Sequence, residues 1–146
     1  MAAVLGEAGA DGSAWEVGVI DHVSVAVGDL VASARFYERV LEPLGMRRLV
    51  DRETTVAFGK RYPEFWLNAR PGLAAVPEDT GNHVCLRARS RDAVEAFYRL
   101  ALELGGRGDG APGERDAAMT TYYGAFIRDP DGNKLEVASF PPKEAG

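Results

Sequence analysis

The chain repeats itself. Residues 21–44, DHVSVAVGDLVASARFYERVLEPL, return at 82–105 as NHVCLRARSRDAVEAFYRLALELG, at one offset of 61 residues and without a gap. His22-Val23 falls on His83-Val84, Phe36-Tyr37 on Phe97-Tyr98, and Leu41-Glu42 on Leu102-Glu103. A repeated unit of this size is a supersecondary motif that needs its copy to bury an apolar face. The 146 residues therefore make one domain of two similar halves rather than two domains. The chain has 2 histidines, and both take the same place in the unit. A pseudo-two-fold axis between the halves would bring those imidazoles into one site from symmetric directions.

Residues 1–17 are Ala- and Gly-rich without a period and read as a flexible tail. The domain is expected over 18–140, with module one at 18–70, a Pro- and Gly-broken linker to 81, module two at 82–140 and a short tail at 141–146. Alternation over 19–27 predicts a strand with Val23, Val25 and Val27 facing the core and His22, Ser24 and Ala26 facing away. Asp29 caps a helix whose Leu30, Ala34, Tyr37, Leu41 and Leu44 recur at helical spacing until Pro43 and Gly45 stop it. Three short strands in hairpin succession follow at 46–51, 54–59 and 64–68, so the first half reads β-α-β-β-β.

The second half opens with a strand at 82–88, Val84, Leu86 and Ala88 inward and His83, Cys85 and Arg87 outward. A helix at 90–104 is capped by Ser90 and closed by Gly105-Gly106. Residues 107–121, rich in Gly, Asp and Ala, read as a long loop over the open face. Strands at 122–128 and 133–139 then form a hairpin around Asp129-Pro130-Asp131-Gly132, which suits a type I turn.

A four-residue loop there pairs Arg128 with Asn133, Ala125 with Glu136 and Tyr123 with Ala138. Glu136 is then left on the open side of the sheet among apolar neighbours. An unpaired carboxylate in that place is costly, and a cation removes the cost. Two imidazoles and one carboxylate pointing off the helix-covered face form a facial set with positions left for substrate or oxygen. His22, His83 and Glu136 are accordingly the expected metal ligands. Phe36, Phe97, Tyr37 and Tyr98 repeat at helical spacing and belong to the core. Cys85 shares the face of His83 and, with no cationic cluster beside it, is a pocket wall rather than a nucleophile.

The unit H-V-x-V-x-V…F-Y-x-x-x-L, its second copy opening N-H-V, and the closing F-x-x-D-P-D-G-N-x-x-E resemble the vicinal oxygen chelate superfamily, which includes glyoxalase I, extradiol dioxygenases, fosfomycin resistance proteins and bleomycin-binding proteins. The resemblance covers residues 18–140. It implies an α+β fold in which two tandem βαβββ modules form a cupped, mixed eight-stranded half-barrel with helices on the outer face. It also implies a divalent metal (Fe, Mn, Zn or Ni) held by His22 from the first strand, His83 from the fifth and Glu136 from the eighth. Aligning Ala57-Phe58 with Ala125-Phe126 sets Trp66 where glyoxalase I carries a fourth ligand, and an indole cannot ligate. Glyoxalase I activity is thereby disfavoured, and Trp66 becomes an apolar wall for the substrate.

The implied function is a metal-dependent dioxygenase or lyase, or an isomerase or thiol transferase of the same superfamily, chelating vicinal oxygens of a small organic substrate. Tyr123 is the expected catalytic polar group, and Arg87 and Arg115 are placed to meet an anionic substrate. The alternative is a metal-free drug-binding protein of the bleomycin resistance type. Module edges that need covering, together with the habit of similar single-domain relatives, point to a homodimer. Lys plus Arg number 17 against 22 for Asp plus Glu, a net charge of −5 with no basic cluster, which argues against nucleic acid. No apolar run approaches the roughly 20 residues of a membrane span, and the first residues lack the basic opening of a secretory signal. One cysteine, Cys85, agrees with a reducing compartment, and a cytoplasmic location is expected.

Overall fold

The computed structural model describes residues 18–142, so the expected tail at 1–17 and the end of the other at 143–146 lie outside it. In chain order the elements are β1 (Val23–Val27), α1 (Leu30–Val40), one 3-10 turn (Glu42–Leu44), β2 (Arg47–Asp51), β3 (Thr55–Gly59), β4 (Phe65–Ala69), β5 (Val84–Arg87), α2 (Arg91–Glu103), β6 (Arg107–Asp116), β7 (Thr121–Arg128) and β8 (Lys134–Ser139). The βαβββ order occurs twice, as the repeat requires. The strands expected for a half-barrel are present as two mixed sheets of four, β1-β4-β3-β2 and β5-β8-β7-β6. In each sheet the first strand of the module runs parallel to the last and the other neighbours are antiparallel. A parallel pair needs a crossover, and α1 and α2 are those crossovers.

Both helices start on side-chain caps: Asp29 accepts from the Ala32 N–H and Ser90 from the Ala93 N–H, each at 3.1 Å. Pro43 cannot continue α1, whose end tightens into the 3-10 turn and closes on Gly45 at φ 77°. The inward faces of the helices, Ala34, Phe36, Tyr37 and Val40 on α1 with Val94, Phe97 and Ala101 on α2, are buried in one cluster. Phe58, Phe65 and Leu67 from the first sheet and Ile127, Leu135 and Val137 from the second join it. One core therefore serves both modules, and removing a shared ring, as in Phe97→Ala, would cost about 3–5 kcal/mol.

Three sequence expectations are corrected. Residues 107–121, expected as a loop, instead supply β6, paired antiparallel to β7. Gly, Pro and Asp are poor strand formers in a sheet interior, but β6 is an edge. There Pro112 and the register shifts between Gly108, Gly110 and Gly113 are tolerated and keep the edge from templating another strand. The first strand begins at Val23 rather than 19, because Val19 and Ile20 are exposed and find no partner strand. His22 and His83 thus each stand just before their strand.

The third correction is register. Arg128 pairs with Lys134, Phe126 with Glu136 and Tyr123 with Ser139, one residue away from the expected set. The turn takes one more residue than four: the Gly132 N–H donates to the Asp129 carbonyl, Gly132 sits at φ 94°, and the Asp129 N–H donates to the Asn133 carbonyl. A type I turn followed by a left-handed glycine is a bulged hairpin loop. A one-residue slip exchanges the faces of a strand. Tyr122 and Phe126 consequently share the face of Glu136, and Tyr123 does not.

The same loop ties the modules together. Asp129 is 4% exposed and accepts from the Tyr37 hydroxyl at 2.6 Å, the Asn133 side-chain amide at 2.9 Å and the N–H groups of Asp131 and Asn133 at 3.0 and 2.8 Å. Asn133 also donates to the Ala26 carbonyl of β1, and Asp131 accepts from the Gly28 N–H. Burial pushes the Asp129 carboxyl above the usual range while Tyr37 and Asn133 pull it down. The D-P-D-G-N stretch is therefore a latch between β8 and the β1–α1 corner.

Candidate metal and substrate site

The open face of the second sheet carries a linked set of polar groups. Cys85 lies beside Glu136, and Glu136 beside Phe126, in one row across β5, β8 and β7. His83 Nε2 is 3.4 Å from Glu136 Oε1, and the Tyr122 hydroxyl donates to Glu136 Oε2. Glu136 itself is only 6% exposed. His83 Nδ1 faces the Gly81 carbonyl at 3.3 Å, which leaves Nε2 as the nitrogen turned to the site. Burial first, then the Glu136 hydrogen bond, pushes the Tyr122 phenol up to about 12. Cys85 is exposed as a residue, but partial burial of its thiol, followed by the Glu136 charge, raises it to about 12, which fits a wall rather than a nucleophile. Gly124 makes room for this arrangement, since a Cβ there would stand 2.7 Å from the Tyr122 ring and 2.9 Å from the Val137 carbonyl.

Two guanidiniums border the set on aromatic rings. Arg87 lies 5.0 Å above Phe140, which stacks on Tyr122 at 5.4 Å. Arg115 lies 5.3 Å above Phe126, with Nε buried and lacking a hydrogen-bond partner. Among the described residues neither has a carboxylate partner. Lys134 shares the Phe126 ring at 4.7 Å but is paired with Asp109 at 3.0 Å. Among the described residues Glu136 is salt-bridged to none of these cations.

The matching corner of the first sheet holds His22 and Trp66, their rings 6.2 Å apart edge to face. Register makes the equivalence explicit: Ser24 pairs with Trp66 and Cys85 with Glu136. Ser24 and Cys85 are themselves repeat partners, so Trp66 holds the place of Glu136. His22 Nδ1 is 2.7 Å from Asp21 Oδ2, which also accepts from the Tyr62 hydroxyl at 3.0 Å. His22, then Tyr62, hold the Asp21 carboxyl below its usual range.

The expectation that His22 meets His83 and Glu136 within one chain is not met. Among the described residues no three His, Cys, Asp or Glu side chains gather closely enough for a metal. His22 stands at the entry to the first sheet, beside Trp66, and the His83–Glu136 pair lies on the second. Tyr123 is corrected as well. It lies on the helix side, donating to Glu95 at 2.8 Å under the Arg91 guanidinium.

The model of the Glyoxalase/Bleomycin resistance protein/Dioxygenase superfamily matches residues 19–137. The chain belongs to that superfamily. A glyoxalase/bleomycin resistance protein from Albidiferax ferrireducens T118 is 28% identical with a TM-score of 0.74, over 84% of this chain and 99% of that one. The fosfomycin resistance protein FosX from Listeria monocytogenes shares the fold at 15% identity and TM-score 0.61, over 86% of this chain and 96% of that one. So does a glyoxalase I mutant from Zea mays, at 24% identity and TM-score 0.63, over 81% of this chain but 44% of its own length. No curated protein matches the sequence significantly.

Within this superfamily member, Tyr122, Lys134, Asp21 and Tyr62 are site neighbours that sequence reasoning missed. The signal for Tyr122 was the glycine in D-P-D-G-N, which marks a left-handed bulge residue and shifts the strand faces by one. The signal for Asp21 was its position beside a candidate ligand. Lys134 followed from the corrected pairing with Arg128, and nothing in the sequence pointed to Tyr62.

Proposed function

We propose that this protein is a metal-dependent enzyme acting on a small organic substrate with neighbouring oxygens. Its site would join His83 and Glu136 of one chain to His22 of a second copy in a homodimer. The observation that carries the reading is Glu136: a nearly buried carboxylate whose partners are an imidazole and a phenol rather than Arg or Lys. Imidazole nitrogen and carboxylate oxygen suit a divalent Fe, Mn, Zn or Ni ion, and such an ion offsets the cost of the buried charge. The repeat places His22 at the corner equivalent to that of His83. A two-fold pair of chains can lay the open face of a first sheet over that of a second, which supports a shared site.

When bound, the metal supplies Lewis-acid stabilisation of charge developing on substrate oxygen. Arg87 and Arg115 bind an anionic group of the substrate, and their stacking on Phe140 and Phe126 keeps them oriented. Tyr122, protonated at neutral pH, donates to Glu136 and holds one of its oxygens in place. Trp66 and Cys85 wall the pocket. Trp66 in the place of Glu136 speaks against glyoxalase I chemistry and for the dioxygenase or lyase branches. Metal analysis of protein purified without chelators or an affinity tag tests the reading. About one ion per chain is expected, with His83→Ala and Glu136→Gln weakening binding at least about tenfold. Full occupancy in both variants sinks it. No uptake by wild type favours the second reading, a metal-free binder of small aromatic molecules, which the Trp66, Phe126, Phe140 and Tyr122 rings would also serve.

A further inference from the structure

We infer that Asp21, braced by Tyr62, is a positioning residue that fixes the His22 ring with Nδ1–H held and the Nε2 lone pair free for a divalent metal. The inference rests on the metal reading above. Three observations carry it. Asp21 Oδ2 lies 2.7 Å from His22 Nδ1 and 3.0 Å from the Tyr62 hydroxyl, so one carboxylate oxygen joins the β1 entry to the β3–β4 connection. A carboxylate accepts only, which makes Nδ1 the protonated nitrogen of the neutral ring. The repeat supplies the internal control. Asp21 corresponds to Asn82, and His83 has its Nδ1 on the Gly81 carbonyl instead. Both imidazoles are therefore held by Nδ1 with Nε2 outward, but only His22 is backed by a charge.

That difference has a chemical consequence. A carboxylate behind an imidazole fixes the tautomer and raises the basicity of the ligating nitrogen, and removing such a partner commonly weakens metal binding about 10–100-fold. His22 is the ligand that must reach across to another copy, and it stands before its strand rather than inside it. Among the described residues Asp21 is the one side chain hydrogen-bonded to that ring, and Asp21→Ala removes it.

The test uses the full chain and Zn2+ as probe. Long-range proton–nitrogen NMR of the metal-free protein near neutral pH reads the tautomer of each histidine, and a chelator-competition titration reads Zn2+ affinity. The wild type should show His22 as the Nδ1–H form. Asp21→Ala should convert it to a mixture of both tautomers and weaken Zn2+ about 10–100-fold, leaving the His83 signals in place. Asp21→Asn, whose side-chain carbonyl still accepts, should keep the tautomer and recover part of the affinity, and Tyr62→Phe should show a smaller loss. Unchanged tautomer and affinity in Asp21→Ala overturn the inference while the metal reading stands. A wild type that takes up no Zn2+ brings down the metal reading and, with it, any positioning role of Asp21 toward a metal. A Tyr62→Phe loss as large as that of Asp21→Ala, with the tautomer intact, also overturns it.

Discussion

Tyr37→Phe isolates the latch that holds the eighth strand, and so Glu136, against the first module. The phenol is fully buried and its hydroxyl has one partner, Asp129 Oδ2, at 2.6 Å. Phenylalanine keeps the ring against Phe36 and Phe65, so the change removes a hydrogen bond without opening a cavity larger than one oxygen. A hydrogen bond to a charged group is worth about 1.5–3 kcal/mol. Asp129 keeps three donors and is too buried for water to replace the fourth. In a domain of this length the loss lowers the melting temperature by about 4–10 °C.

The pH dependence of that loss follows from the same bond. Burial raises the folded pKa of Asp129, and Tyr37 opposes the rise. Without the hydroxyl the folded pKa climbs further above the unfolded value of about 3.9. A carboxyl whose folded pKa lies above its unfolded value has its stabilising contribution in full below the unfolded pKa and loses it as pH rises through the folded one. The gap between variant and wild type should accordingly be small near pH 4 and largest near pH 7.5. Thermal and urea unfolding followed by circular dichroism measure it. A gap that is flat with pH, or largest in acid, refutes the argument.

The Cys85 thiol, raised to about 12, should react with iodoacetamide at pH 8 at least about 100 times slower than a free cysteine, and Glu136→Gln should speed the reaction by removing the neighbouring charge; mass spectrometry of timed samples reads both, and a free-cysteine rate overturns the placement. Trp66→Glu should tighten metal about tenfold or more by adding a carboxylate at the place equivalent to Glu136, and a metal titration showing unchanged affinity would separate Trp66 from the metal.

The repeat made most of the fold legible. His-Val, Phe-Tyr and Leu-Glu pairs at one offset carried the two helices and the faces of Val23 and Val84, because periodicity reports which side of an element is buried. Strand β6 escaped because Gly108, Gly110, Pro112 and Gly113 carry no alternating side-chain signal for the antiparallel pairing with β7. Tyr123 was expected at the site because of a single miscounted turn residue, and a period of two turns such a slip into the wrong face. His22, His83 and Glu136 were singled out by chemistry, which is local. Whether the two module faces meet within one chain depends on how the helices pack the modules together, which no residue pattern in one strand records.

The claim at the centre of this account is that one metal site needs two chains, and mixing two defective variants tests it most directly. His22→Ala and Glu136→Gln, each purified alone, should bind little or no Zn2+. After denaturation and joint refolding, a mixed dimer would combine both lesions in one site and leave the other intact, restoring about a quarter of an ion per chain at random pairing. Recovery of Zn2+ in the mixture, with no recovery when either variant is refolded alone, is the predicted result. A mixture that binds no more than its parts would contradict the shared site.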